Sequence, residues 1–221
     1  MSGPVLVLHR HVALVSTQDT ARAMAAAGAP HGTIVLADHQ TDGRGRRGRH
    51  WVGEPGANLL LSWILRPDVA LRDAPLLTLG AAAGLAEALD VRVKWPNDLV
   101  GPDGHKLGGL LGEVEADGDR VRHVILGLGL NVNQVDFPGL PNATSLALLF
   151  GPQDREEVLD RVVGAVLAWS AHPDRLDLWR RRSHTLGRRV RIDGREGTAT
   201  ALRDDGALIV DGQAITTGEV E

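Results

Sequence analysis

A chain that writes nearly all its cations as arginine keeps just two lysines among 24 basic residues, Lys94 and Lys106. An ammonium is a compact point charge and a guanidinium a planar fork, so a site that needs the first does not accept the second. Both lysines open segments with chemical potential. Lys94-Trp95-Pro96-Asn97-Asp98-Leu99 stops an apolar run with a cation, an aromatic ring, an amide and a carboxylate. Lys106-Leu107-Gly108-Gly109-Leu110-Leu111-Gly112-Glu113 follows, with glycines that leave room for a ligand or for neighbouring backbone. Upstream, Gly43-Arg44-Gly45-Arg46-Arg47-Gly48-Arg49 alternates backbone that can approach an anion closely with guanidinium groups that surround its charge. Alone, that loop reads equally as an anion clamp or as an RNA-binding arginine-glycine patch. A further run, Gly127-Leu128-Gly129-Leu130-Asn131-Val132-Asn133, is small on one face and ends in amides. No helix opens at it, as a dinucleotide fingerprint requires, and the chain has no Walker loop. A nucleotide would therefore be held by the arginine loop, the isolated lysines and the asparagines.

The elements that position these groups follow from periodicity and punctuation. Residues 5–15 read as a strand, and Ser16-Thr17-Gln18-Asp19 supplies N-cap chemistry for a helix over 20–27, ended by Gly28 and Pro30. Strands are expected at 33–37 and 58–65, joined by a polar loop over 38–50. A buried helix over 73–89 precedes a strand at 91–95, and strands 106–115 and 121–132 flank the turn Asp117-Gly118-Asp119. Helices follow over 155–169, with an apolar stripe read as core, and over 173–182, with Arg180-Arg181-Arg182 at its solvated end. Trp169 and Trp179 read as packing residues. From Gly187 the pattern shifts to short strands at 190–192, 198–202 and 208–210, separated by Asp-Gly pairs. This predicts an α+β chain: a mixed β-sheet with flanking helices over residues 1–186 and a small β-barrel over 187–221.

Composition narrows the class. With 43% hydrophobic and 24% charged residues the chain is ordinary for a globular protein. It has no cysteine, which removes disulfides and thiolate sites and fits a cytoplasmic location. A net charge of -4 gives no overall attraction to nucleic acid or to an anionic membrane. Neither a signal peptide nor a membrane span is expected, because the best apolar run, 76–86, is too short. His9 and His11 share a strand face, but without a third ligand they predict exposed histidines rather than a zinc site.

Taken in order, Ser16-Thr17-Gln18, Gln40, GRGRRGR followed by Trp51, KWPNDL, KLGGLLGE, GLGLNVN and Gly218-Glu219-Val220 resemble a bacterial biotin protein ligase of the type without an N-terminal DNA-binding domain. The resemblance covers nearly the whole chain and displaces the RNA reading. It implies a class II synthetase-like catalytic domain with a C-terminal SH3-like barrel. Biotin would meet Ser16, Thr17, Gln18, Gln40, Gly43, Arg44, Lys106, Gly109 and Gly127. ATP would meet Arg46, Arg49, Trp51, Asn97, Lys106 and Asn131, and catalysis would rest on Lys106, Arg46 and Arg44. Mg²⁺ is implied by the ATP chemistry, with no ligands assigned. The implied reaction joins biotin to ATP as biotinyl-5′-AMP, then passes the biotinyl group to a lysine of a biotin carboxyl carrier protein. The enzyme would act as a monomer or homodimer, without nucleic acid or membrane partners.

Beyond the resemblance, Leu110 and Leu128 are read as walls for the apolar tail of biotin. Asp98 is read first as a holder of Lys94 or the loop and second as a base for the transfer step. Two departures stand out. Gln18 occupies a position where many relatives carry the shorter Asn, and the chain enters its first motif by Ser16, so operator repression is not expected. The nearest rival substrate is lipoate, whose dithiolane ring offers no partners to Ser16, Thr17 and Gln40. The arginine loop is expected to be mobile when empty, with its arginines repelling one another and Arg46 exposed.

Overall fold

The computed structural model describes residues 6–220; Val5, where the first expected strand begins, lies outside the described residues, as does Glu221. Strands β1 (Val7–Leu14) and β2 (Thr33–Gln40) are parallel neighbours, so the chain must cross between them, and it does so through α1 (Thr17–Ala26). A two-stranded hairpin, β3 (Gly43–Arg44) and β4 (His50–Trp51), then leads into β5 (Leu59–Leu65). Helix α2 (Ala74–Leu89) is followed by β6 (Arg92–Lys94), β7 (Asp98–Val100), β8 (Lys106–Asp117) and β9 (Arg120–Leu130). These strands form one mixed seven-stranded sheet in the order β1-β2-β5-β9-β8-β7-β6. After α3 (Leu146–Phe150), α4 (Arg155–Trp169) and α5 (Arg175–Arg182) comes an antiparallel sheet of β10 (Arg189–Ile192), β11 (Arg195–Leu202), β12 (Leu208–Val210) and β13 (Gln213–Ile215). The class is α+β, as expected, with a separate C-terminal sheet.

Alternation along the strands divides the core. Ile34, Leu36, Leu61 and Trp63 pack in one cluster with Leu77 and Leu85 of α2 and Val162 of α4, whereas Val35, Ile64 and Ile125 meet Ala21 and Ala25 of α1 on the other side. Strand β5 is buried at every residue because both of its faces are covered. Helix α2 is apolar almost all round and lies in the interior. Its Gly84 is required by close packing: a Cβ there would lie 2.6 Å from Cβ of Trp169. Trp179 is fully buried, and Trp169 packs at the end of α4. The C-terminal sheet has its own hydrogen bonds, yet Val190, Ile192, Leu202 and Leu208 belong to the same apolar cluster as α2. Trp95 Nε1 also donates to the carbonyl of Gly206 at 3.1 Å.

Several expectations need correction. Helix α1 begins at Thr17, not residue 20, and its N-cap Ser16 makes no side-chain capping bond. The side chains read as caps are turned to another use. The 38–50 stretch is not all loop: β2 runs to Gln40 and the remainder folds as the β3–β4 hairpin around a 3-10 turn at Arg46–Gly48. KWPNDL is itself a hairpin, with Lys94 opposite Asp98. Strand β13 and helix α3 carry patterns too short to be noticed in the sequence. Among the described residues no helix is long and apolar enough to cross a membrane.

Candidate active site

On the face of β8 and β9 toward α1, Gly109, Gly127 and Gly129 remove side chains from part of the sheet and open a cavity of about 1010 Å³. Ser16, Thr17, Gln18, Gln40, Arg44, Arg46, Arg49, Trp51, Asn97, Lys106, Gly109, Gly127 and Asn131 all line it. Gly43 is the exception among the expected residues. It is buried behind the wall, where a Cβ would lie 2.7 Å from the carbonyl oxygen of Trp51 and 2.9 Å from Gln40 Nε2. Leu110 and Leu128 line the cavity while belonging to the buried core.

One end of the cavity is neutral and tightly bonded. The backbone N–H of Thr17 donates to Gln40 Oε1 at 2.7 Å, and the Thr17 hydroxyl lies 3.0 Å from the same oxygen and 2.9 Å from Ser62 Oγ. Ser62 Oγ donates to Gln18 Oε1 at 2.9 Å, while Gln18 Nε2 donates to the carbonyls of Ile125 at 3.0 Å and Leu111 at 3.3 Å. Gln18 is thus satisfied at both ends of its amide by protein. A Cβ on Gly127 would lie 2.5 Å from Gln18 Oε1, so the longer amide and the missing side chain form a matched pair. Ser16 Oγ, by contrast, is buried without a partner, a costly state unless a ligand supplies one. Sequence reasoning passed over Ser62 because a single hydroxyl in Leu-Leu-Leu-Ser-Trp-Ile-Leu looks like a tolerated core residue. Its period-two position on the face opposite Leu61 and Trp63 was the available signal.

The middle holds the lysines. Lys106 Nζ donates to Asp98 Oδ1 at 2.8 Å, and Lys94 Nζ lies 4.0 Å from Oδ2 of the same buried carboxylate. Asp98 therefore positions both ammonium groups. Asn97 Nδ2 donates to the carbonyl of Leu110 at 2.6 Å, and its Oδ1 accepts from Arg46 at 2.8 Å. Arg46 also donates to the carbonyl of Gly218 at 3.2 Å, so it is half-buried between two segments and not an exposed loop position. Burial lowers the pKa of its guanidinium, against Glu219 and Asp98, which favour the charge. It remains a cation at neutral pH.

The far end is cationic, and its arginines do not face one another unpaired. Arg47 bonds Asp193 and Arg49 bonds Glu219, while Arg44 turns back toward α1, bonding Asp19 at 2.8 Å and lying 3.1 Å from Glu113. Burial pushes the Glu219 carboxyl up, but the bond from Arg49 and the charges of Lys106 and Arg46 bring it below its usual value. Beside this end Trp51 lies flat over Gly129, where any side chain would collide with its ring, and Trp51 Nε1 is buried without a partner. Asn131 Nδ2 donates to the carbonyl of Thr144 at 2.9 Å, and Lys106 N donates to the carbonyl of Asn142 at 2.7 Å. The irregular segment carrying Asn142 thus forms a wall that sequence periodicity could not show. His9 and His11 are half-buried, not exposed, and among the described residues no three metal-ligating side chains cluster.

Comparison with known proteins gives a consistent answer. Residues 13–131 match the model of the Biotin/lipoate A/B protein ligase family. The chain is 39% identical over 223 residues to a bifunctional ligase/repressor BirA of Bacillus subtilis, covering 91% of this chain and 68% of that protein. It is 34% identical over 218 residues to a biotin--[acetyl-CoA-carboxylase] ligase of Mycobacterium tuberculosis, covering 89% and 80% respectively. Its fold superposes on a biotin protein ligase from Aquifex aeolicus, solved in complex with biotin and ATP, with a TM-score of 0.78, 28% identity and 97% of each chain covered.

Proposed function

The chain belongs to the biotin/lipoate A/B protein ligase family, and from that premise we propose that it activates biotin with ATP as biotinyl-5′-AMP and transfers the biotinyl group to a lysine of a biotin carboxyl carrier domain. The observation that carries this reading is the polarity of a single cavity. A neutral hydrogen-bonding end, Ser16 to Ser62, is separated from an arginine-lined end by Lys106. A ureido ring offers donors and acceptors in the number that such an end requires. A dithiolane would leave Ser16 Oγ unpaired. The division of labour at residue 186 is part of the same proposal: residues 1–186 hold the substrates, and 187–221 support the loop.

In the first step a biotin carboxylate oxygen forms a bond to the α-phosphorus of ATP and pyrophosphate leaves. The carboxylate is already ionised at neutral pH, so the protein's task is to bring anions together and neutralise growing charge. Lys106, aligned by Asp98, supplies a point charge between them. Arg46, fixed by Asn97, covers the intermediate; Arg49 faces the departing phosphates, and Arg44 the biotin side. Trp51 and Asn131 border the adenine. In the second step the acceptor amine bonds to the acyl carbon, AMP leaves, and the amine gives up a proton. Asp98 acts mainly as a holder, because its oxygens face two ammonium groups. Asp98 and Glu219 are engaged by cations and do not fit a resident Mg²⁺ site. An ion that enters with ATP would be held chiefly by phosphate oxygens and water. No operator-binding role is proposed, since a net charge of -4 gives no overall pull toward a polyanion.

The test is biotin-dependent exchange of pyrophosphate into ATP, followed by mass-shift detection of biotin on a purified carrier domain. Exchange that depends on lipoate and not on biotin would overturn the reading.

A further inference from the structure

Among the arginines of the loop, Arg44, Arg46 and Arg49 line the cavity, and Arg47 does not. Its backbone is left-handed, with φ of 56°, which breaks the 3-10 turn and sends the side chain the other way. There it donates through Nη1 to Asp193 Oδ1 at 2.8 Å and through Nη2 to Asp193 Oδ2 at 3.2 Å, the two-pronged geometry of a guanidinium on a carboxylate. Asp193 is held out to meet it by the β10–β11 hairpin turn, where Asp193 and Gly194 both have positive φ, 47° and 82°. The neighbouring arginines reach the C-terminal segment that follows this sheet: Arg46 donates to the carbonyl of Gly218 and Arg49 to Glu219.

We propose that Asp193 is a positioning residue that latches the arginine loop shut through Arg47, so that the C-terminal sheet holds the loop over the activated intermediate. The proposal rests on the adenylate-forming reading above. An exposed ion pair of this kind is weak and reversible, which suits a closure that must open in every cycle to admit substrates and the acceptor lysine. Arg47 thereby acquires a function that its absence from the cavity lining denies it as a ligand.

The discriminating variant is Asp193→Asn, which keeps a residue comfortable at positive φ and removes only the charge. In ligand-free protein, trypsin cleavage within the 43–49 loop should speed up roughly two- to five-fold, the range of a weak surface pair, with the melting temperature unchanged. In a quench experiment, release of biotinyl-5′-AMP should accelerate by a similar factor. Arg47→Asn should do the same for release, and the double variant should be no worse than either single one, because both act through one contact. Cleavage no faster than in the unaltered protein overturns the latch. Faster cleavage with unchanged release overturns its part in retaining the intermediate, and additive effects of the two substitutions overturn the pairing. Absence of biotin-dependent exchange in the unaltered protein would instead strike the activity reading, while the proteolysis still answers for the latch.

Discussion

The two ends of the cavity are built on opposite plans. At the Thr17–Gln40–Ser62 end every group sits on α1 or on a strand of the main sheet, is largely buried, and is positioned by neutral hydrogen bonds. At the other end Arg46, Arg47 and Arg49 sit on a hairpin loop; Arg47 and Arg49 are substantially exposed and held by ion pairs to other segments, and Arg46 is half-buried between Asn97 and the carbonyl of Gly218. Buried neutral networks are rigid and intolerant of a lost partner, whereas exposed ion pairs are cheap to break. Under the proposed activity, discrimination between ring systems would fall to the first end and opening and closing to the second, with Lys106 and Asp98 at the boundary.

The largest break in this comparison should come at that boundary. Lys106→Arg preserves charge but replaces a point with a fork beside Asp98, and biotin-dependent pyrophosphate exchange is expected to fall about 100-fold. Near-normal exchange would remove Lys106 from the chemistry. Next, Thr17→Val strips one hydroxyl from the neutral network. A lost buried hydrogen bond costs about 1–3 kcal/mol, so calorimetry should find biotin bound about 10-fold more weakly with the KM for ATP unchanged. An equal loss for both ligands would show that the ends are not independent. Smaller still is the response to salt. Between about 0.05 M and about 0.5 M ionic strength, adenylate retention should drop a few-fold while binding of biotin alone stays nearly constant.

The smallest effect concerns His184, which lines the cationic end. Burial, followed by Arg188, Lys94 and Arg92, lowers its pKa, so the folded protein binds a proton there less readily than the unfolded chain does. Stability from this group is full above the unfolded value of about 6.5 and declines as pH falls toward the lowered folded value. Melting temperature should therefore drop between about pH 7.5 and about pH 5.5. The drop should be shallower in His184→Gln, and identical pH profiles would exclude His184 as a contributor.

Much of this arrangement was legible in the chain before any fold was known, for reasons specific to each residue. The two lysines were conspicuous against an arginine background, and glycines repeated within strands marked the open face. What escaped was information carried by contact between distant segments. Ser62 acquires meaning only when β5 lies opposite Thr17, and Asp193 only when a hairpin 146 residues away meets Arg47. The expected repulsion among loop arginines failed for the same reason, because their acidic partners lie far off in the sequence. Helix α1 began earlier than its capping pattern implied because Ser16, Thr17 and Gln18 turn inward to the cavity.

The pairing of Gln18 with Gly127 also constrains how this pocket can change over generations. Gaining an alanine at 127 first would drive its methyl into the Gln18 amide, whereas shortening Gln18 to Asn first sacrifices hydrogen bonds but creates no collision. The two substitutions are therefore not interchangeable in order. Room at 127 thus depends on the length of the residue at 18, and alanine at 127 is expected to be tolerated better together with Gln18→Asn than on its own.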